Sequence, residues 1–228
     1  MKKHMNFHVM TLFPQMVDSI LNESIIGRAR QSGIISVKCH NIRDHTENKH
    51  KNVDDTPYGG GMGMLMAAPP IYNCYQSVKK ELKGSSVCVY MSPQGRVFDQ
   101  KTAKELLSYD NVTILCGHYE GVDRRVVDRI VDIELSIGDY VLTGGELPAC
   151  IVIDAVSRLV DGVLADSECY ENESIACGAL EYPQYTRPYD FMGDKVPDVL
   201  LSGNHKDIEK WRKEQSLILT QKNRPDLL

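Results

Sequence analysis

Apolar and polar residues alternate along this chain in blocks whose period changes. Phe7–Leu12 is an apolar run of strand length. Gln15–Gln31 carries Met16, Val17, Ile20, Leu21, Ile25 and Ile26 close to helical spacing, so a helix is expected there. Ile34–Ile42 reads as a second strand. Val87–Met91 and Val112–Cys116 are short apolar runs of strand length, and Asp99–Leu107 between them suits a helix. Ile130–Leu135 alternates like a strand, and Ala149–Val160 reads as a largely buried helix. Strands and helices in alternation predict an α/β domain on a mainly parallel sheet.

Glycine-bearing turns follow three of these strands. They are Tyr90-Met91-Ser92-Pro93-Gln94-Gly95, then Gly117-His118-Tyr119-Glu120-Gly121-Val122-Asp123, then Ser136-Ile137-Gly138-Asp139-Tyr140-Val141-Leu142-Thr143-Gly144-Gly145-Glu146-Leu147-Pro148. Glycine lets a backbone turn at positive φ and lets a ligand approach the main chain closely. Loops at the carboxyl ends of strands in α/β proteins are usual small-molecule sites. Each turn alone is also compatible with a tight connection and no ligand; three in one sheet point to one pocket. None is a Rossmann fingerprint, and no Walker loop or Gly-x-Ser-x-Gly elbow occurs. A fourth glycine cluster, Tyr58-Gly59-Gly60-Gly61-Met62-Gly63, follows Asp54 and Asp55. It reads as either a spacer or a loop that folds over a ligand.

Composition narrows the class. The 228 residues are 42% hydrophobic, enough for a real core, and no run is long enough for a membrane span. The net charge of −5 excludes a general nucleic-acid coat but leaves room for a local basic patch. Seven cysteines without a Cys-x-x-Cys pair, two of them in apolar strands (Cys88 and Cys116), point to a reducing cytoplasm. His40, His45 and His50 lie five apart in a polar stretch and read as solvated surface, so no metal site is expected. Asp161–Gly178 carries acids and no Lys or Arg, which marks a mobile linker. The expected division is 1–162, a linker over 163–176, and a small mainly helical unit over 177–228. In the last, Asn204–Lys222 reads as a helix with Asn204 and Asp207 near its start and Ile208, Trp211 and Leu217 on an apolar side. Arg158, ending an apolar helix, either snorkels to water or points into a site.

These motifs, with Thr11-Leu12-Phe13-Pro14, Tyr185-Thr186-Arg187-Pro188 and Leu200-Leu201-Ser202-Gly203-Asn204-His205, resemble the bacterial tRNA (guanine-N1)-methyltransferase family of the SPOUT superfamily, nearly end to end. The resemblance implies a deep trefoil knot, a feature that periodicity does not predict. It implies S-adenosylmethionine as methyl donor, held by the three turns: Tyr90, Met91, Ser92, Pro93, Gln94, Gly95, Gly117, Tyr119, Glu120, Gly121, Ser136, Ile137, Gly138, Asp139, Tyr140, Leu142, Gly144, Gly145 and Pro148. It implies tRNA as substrate, methylated on the guanine 3′ to the anticodon, with Asp55, Tyr58, Gly59, Gly60, Gly61, Arg187, Ser202, Gly203, His205 and Arg212 toward the RNA. It also implies a homodimer with shared active sites and no membrane partner. A requirement for Mg2+ stays open.

The chemistry fits. Neutral guanine N1 is a poor nucleophile, so a base must take its proton. Charge developing on O6 needs a cation or donor. The family supplies an arginine where Arg158 stands, which favours the site over snorkelling. Its base is an aspartate, and Glu173 stands there, a departure that puts the reach of the base in question; Glu171 is the substitute. Thr56, where the family often has arginine, and Met62 are further departures. The alternatives are a SPOUT methyltransferase acting on another RNA, and an RNA-binding protein with impaired catalysis.

Overall fold

The computed structural model describes residues 4–165, 174–175 and 178–228. The chain divides into two compact units, 1–166 and 167–228.

The first unit is an α/β layer structure. Strands β1 (Met5–Thr11), β2 (Ile35–Asn41), β5 (Ser86–Val97), β6 (Asn111–Cys116) and β7 (Ile133–Ser136) form a five-stranded sheet in the order β2-β1-β6-β5-β7. All four pairings are parallel. Helices cover both faces, which is why the central strands read as continuous apolar runs. On one face lie α3 (Ala68–Lys79) and α5 (Arg124–Ile130), whose Ile71, Cys74, Val78, Val126, Val127 and Ile130 pack with Met10, Cys88 and Leu115 of the sheet. The other face meets α6 (Glu146–Ser157), flanked by α1 (Pro14–Leu21) and α4 (Gln100–Leu106). There Phe7, Val9, Val17, Leu21, Ala103, Leu106, Ile114, Val152, Ile153 and Val156 are buried.

Several expectations are adjusted. The helix expected over Gln15–Gln31 is two helices, α1 and α2 (Ser24–Gln31). The break falls at Asn22–Glu23, and Gly27 of α2 rests directly on the Asn22 carbonyl, where any side chain would collide. A stripe of apolar residues cannot reveal that turn, because both helices face the same core. Ile130 and Val131 do not belong to a strand: Ile130 closes α5, Asp132 accepts from the Cys88 amide, and β7 begins at Ile133. The helix expected from Ala149 begins three residues earlier, at Glu146, and ends at Ser157. His40 is buried in β2 against His8 and is not solvated surface. Cys88 and Cys116 are buried, as their apolar strands imply. A small hairpin, β3 (Asp54–Asp55) with β4 (Leu65–Met66), frames the glycine-rich segment.

The second unit contains a short hairpin, β8 (Asp190–Phe191) with β9 (Asp194–Lys195), and one long helix, α7 (His205–Asn223). Asn204 caps α7: its side chain accepts from the Lys206 amide and donates to Asp207. Ile208 and Trp211 are half-buried, whereas Leu217 is exposed, so the apolar side is narrower than the sequence implies. Most of the expected linker lies outside the described residues.

Candidate active site

The carboxyl ends of β5, β6 and β7 converge, and the three glycine turns leave the sheet side by side. The first turn is a bulge inside β5: the pairing with β7 jumps from Met91 to Arg96, pushing residues 92–95 out of register. Its Ser92 hydroxyl accepts from the Gln94 amide and stiffens the bulge. The third turn folds back onto the second. The Gly145 amide donates to the Gly117 carbonyl at 2.8 Å, and His118 and Gly144 form an antiparallel bridge.

Close packing is the reason for two of the glycines. A Cβ on Gly145 would lie 2.7 Å from Cys116 Cα and 2.9 Å from the Gly117 nitrogen. These are backbone atoms that cannot step aside. A Cβ on Gly144 would lie 2.5 Å from a carboxylate oxygen of Glu146 and 2.9 Å from His118 Nδ1. So a side chain at Gly144 would have to displace the Glu146 carboxylate and the His118 ring, apart from any effect on the approach of a ligand.

Between the turns lies a cleft of about 280 Å³, close to the lower end of the roughly 300–1,000 Å³ usual for ligand sites. Of the residues expected to hold a cofactor, Tyr90, Met91, Ser92, Pro93, Gln94, Gly117, Tyr119, Glu120, Gly121, Ser136, Ile137, Tyr140, Leu142, Gly144, Gly145 and Pro148 line it. Gly95, Gly138 and Asp139 belong to the same turns but do not line it. Sequence reading passed over His118, Arg124, Val127 and Glu134, which also line the cleft. His118 sits inside a quoted motif and was legible. Arg124 and Val127 come from α5, a helix the periodicity did not reveal.

The electrostatics of the wall are specific. Burial pushes the Tyr90 hydroxyl above its ordinary pKa, with Glu134 adding to the effect, so it stays protonated as a donor. Arg124 bonds Asp128 at 2.6 Å and Glu134 at 2.7 Å, which fixes Glu134 in the wall. Glu146, at 2% exposure, accepts from the buried Thr11 hydroxyl at 2.7 Å. That bond ties the end of β1 to the first turn of α6, directly beneath the third turn. His118 Nδ1 is buried without a hydrogen-bond partner. Its ring packs against Phe13 and Tyr119.

The glycine-rich segment is hinged to this cleft. Glu120 donates to the Met64 carbonyl, Met66 to Gly121, and Asp123 to Met66, at 2.9–3.0 Å. Beyond this ladder Tyr58 is fully exposed, and Gly59–Gly61 and Asp55 of β3 are exposed as well. Arg158 caps the carboxyl end of α6, roughly 18 Å along the helix from Glu146 at about 1.5 Å per residue. It does not line the cleft of its own chain. In the second unit Arg187, Ser202, Gly203 and His205 are exposed, and Arg212 stacks over the Tyr182 ring at 4.8 Å. Glu173 and Glu171 lie outside the described residues.

A family model described as tRNA (Guanine-1)-methyltransferase TrmD matches residues 5–228. The chain belongs to this family. Among its relatives, a Lachnospira eligens protein named tRNA (guanine-N(1)-)-methyltransferase is 57% identical over 223 residues, 98% of this chain and 94% of that protein. Proteins of the same name from Ruminiclostridium cellulolyticum and Clostridioides difficile are 52% and 53% identical, each matching 98% of this chain and 96% and 97% of their own lengths. A methyltransferase family implies S-adenosylmethionine as methyl donor, and the cleft fits one. It offers donors and acceptors from three turns, and Glu120 adds a carboxylate that suits a cationic ligand. Among the described residues, no helix is long and apolar enough to cross a membrane.

Proposed function

We propose that this chain methylates N1 of the guanine 3′ to the anticodon in tRNA. The observation that carries this is the three-turn cleft at the carboxyl end of the sheet, in a chain that matches the family over nearly its whole length. S-adenosylmethionine, when bound, supplies a methyl group on a positively charged sulfur. The residues of the chain do the rest. Backbone groups of residues 90–95, 117–121 and 136–145 hold and orient the donor, and the Tyr90 hydroxyl donates into the cleft. Glu173 takes the proton from guanine N1 as the new N–C bond forms. Arg158 donates to O6 and stabilises the charge that gathers there. The threading of the third turn against the second is read as a trefoil knot, supported by the backbone bond from Gly145 to Gly117.

The working form is a homodimer, with each site completed by a second copy. Two features support this. Arg158 stands at the far end of α6 from the cleft of its own chain. The packed helices α1 and α6 also carry exposed apolar residues, Met16 and Ile20 on one and Leu147 and Ile151 on the other, with Phe13 beside them. The unit over 177–228, with its exposed Arg187, His205 and Arg212, grips the tRNA together with Asp55, Tyr58 and Gly59–Gly61. The linker over 163–176 presents the base, and the enzyme works in the cytoplasm, where tRNA is.

The test is transfer from labelled S-adenosylmethionine to unmodified tRNA, with the modified base mapped. Label on N1 of that guanine supports the proposal; label elsewhere favours another RNA target, and none favours a pure binder. Within the assay, Glu173→Gln is expected to slow single-turnover transfer by about a hundredfold to ten-thousandfold, the range for a lost general base. A near-normal rate moves the role to Glu171. Repeating the transfer with and without Mg2+ decides the metal requirement.

A further inference from the structure

A cluster far from the cleft has the ligand chemistry of a metal site. His8 of β1 and His40 of β2 point to the same face of the sheet, the face covered by α3, since β1 and β2 run in parallel register with His8 opposite Lys38. Both imidazoles are 7% exposed. His8 Nδ1 and His40 Nε2 are 3.1 Å apart and share a hydrogen bond, one ring donating to the other, so an ion takes the place of that proton once the donor ring changes tautomer. Two residues past α3, Glu81 closes the group, with ligand atoms of all three within 4.8 Å of one another. We infer that His8, His40 and Glu81 bind a divalent transition-metal ion of the Zn(II) type.

The spacing supports it. Nitrogens bonded to one tetrahedral Zn(II) at about 2.0–2.1 Å stand about 3.3–3.4 Å apart, so a few tenths of an ångström separates the observed pair from a ligating one. Two nitrogens and one carboxylate oxygen are the donors that Zn(II) and Co(II) take and that Mg(II) disfavours. Glu81 is exposed, which gives the ion an entry path and leaves a fourth position for water. Lys38 competes: its ammonium contacts both Glu81 oxygens, at 2.6 and 2.8 Å. That pair is exposed, and such pairs are worth about 0–1 kcal/mol, so the carboxylate turns inward at little cost. The site lies on the α3 face of β1 and β2, whereas the cleft lies at the ends of β5, β6 and β7, so the two share no residue.

The experiment uses the full chain, stripped with a chelator, titrated with ZnCl2 by calorimetry and with CoCl2 by visible absorption. One ion per chain is expected, with a Co(II) band typical of a low-coordinate nitrogen–oxygen site. His8→Gln and His40→Gln each abolish the band, and Glu81→Gln weakens binding by at least about tenfold, the lower figure for losing even an outer partner of a metal ligand. Lys38→Met frees Glu81 and tightens binding, a gain no loss of fold would produce. Absence of both heat and band in the wild-type protein overturns the inference. So does a band that persists in both histidine variants, or a Lys38→Met protein that binds no more tightly. The last two substitutions lie on the surface, so the test holds even if a histidine variant fails to fold.

Discussion

Thr11 and Glu146 are 135 positions apart in sequence and 2.7 Å apart in space. Thr11→Val removes the donor and leaves a buried carboxylate short of a partner, which costs about 1–3 kcal/mol. Urea denaturation reads that loss, and weaker donor binding should accompany it, because the third turn sits on Glu146. Gly145→Ala is the steric counterpart. Its methyl meets backbone at 2.7 Å, and overpacking of this kind costs about 1–3 kcal/mol; thermal melting checks it, with an unchanged midpoint refuting the packing account. At this scale the sequence was legible where residues are contiguous. The glycine turns stood out because nothing else tolerates such density of glycine between strand and helix. Glu146 stood out only as part of the third turn, since no local pattern says that a threonine at the end of β1 bonds it.

The five strands of the main sheet were visible as apolar runs and α1, α2, α4, α6 and α7 as helical segments, and the two missed helices, α3 and α5, have physical reasons. Helix α3 opens with Ala68-Pro69-Pro70, which looks like a break but is tolerated in a first turn, where the missing amides would be unpaired anyway. Helix α5 has seven residues, with Val126, Val127 and Ile130 its only apolar positions, too short for a period to show. Two aspartates cap short helices at the sheet. Asp99 accepts from the Thr102 amide before α4, and Asp123 accepts from the Arg125 amide before α5. Bonds to Thr102 hold the Asp99 carboxyl below its ordinary pKa of 3.8, and bonds to Arg125 do so for Asp123. A depressed native pKa stabilises the fold fully above the unfolded pKa, and the contribution is lost as pH falls through the native value. The stability gap between wild type and Asp99→Ala, about 0.5–2 kcal/mol for a cap, should therefore be complete at pH 7 and shrink below about pH 4. Denaturation midpoints at both pH values decide; a constant gap would mean that the charge contributes nothing.

For the whole molecule, the exposed apolar residues of α1 and α6 are the most consequential surface. If they meet a second copy, Ile151→Asp buries a charge at that contact and should yield monomers in sedimentation, with transfer activity lost and the fold retained by circular dichroism. The cysteines give a second global readout. Burial pushes Cys39 and Cys74 up to about 12 and Cys150 to about 11, and raises Cys88 and Cys116 as well. Brief alkylation at neutral pH, read peptide by peptide, should leave these five unmodified until denaturant is added, because the thiolate is the reactive form. Sheet class and strand content could be read from the sequence at this scale. Strand order could not, since β1 pairs with β2 on one side and, across about a hundred residues, with β6 on the other, and no local signal encodes that choice.

The three backbone bonds that join residues 64–66 to residues 120–123 bear on the order of events. They make the floor of the cleft and the base of the exposed glycine-rich arm a single piece. A small molecule that settles on Gly121 and fixes the conformation there narrows the arcs through which Tyr58 and its glycines can swing. An arm restrained in advance loses less freedom when a large partner arrives, and the second arrival is favoured by that difference. The chain would then have a queue written into its hydrogen bonds, with the small ligand first and the polynucleotide after it. Slower amide exchange at Gly60 and Met62 on adding the methyl donor alone would register that sequence.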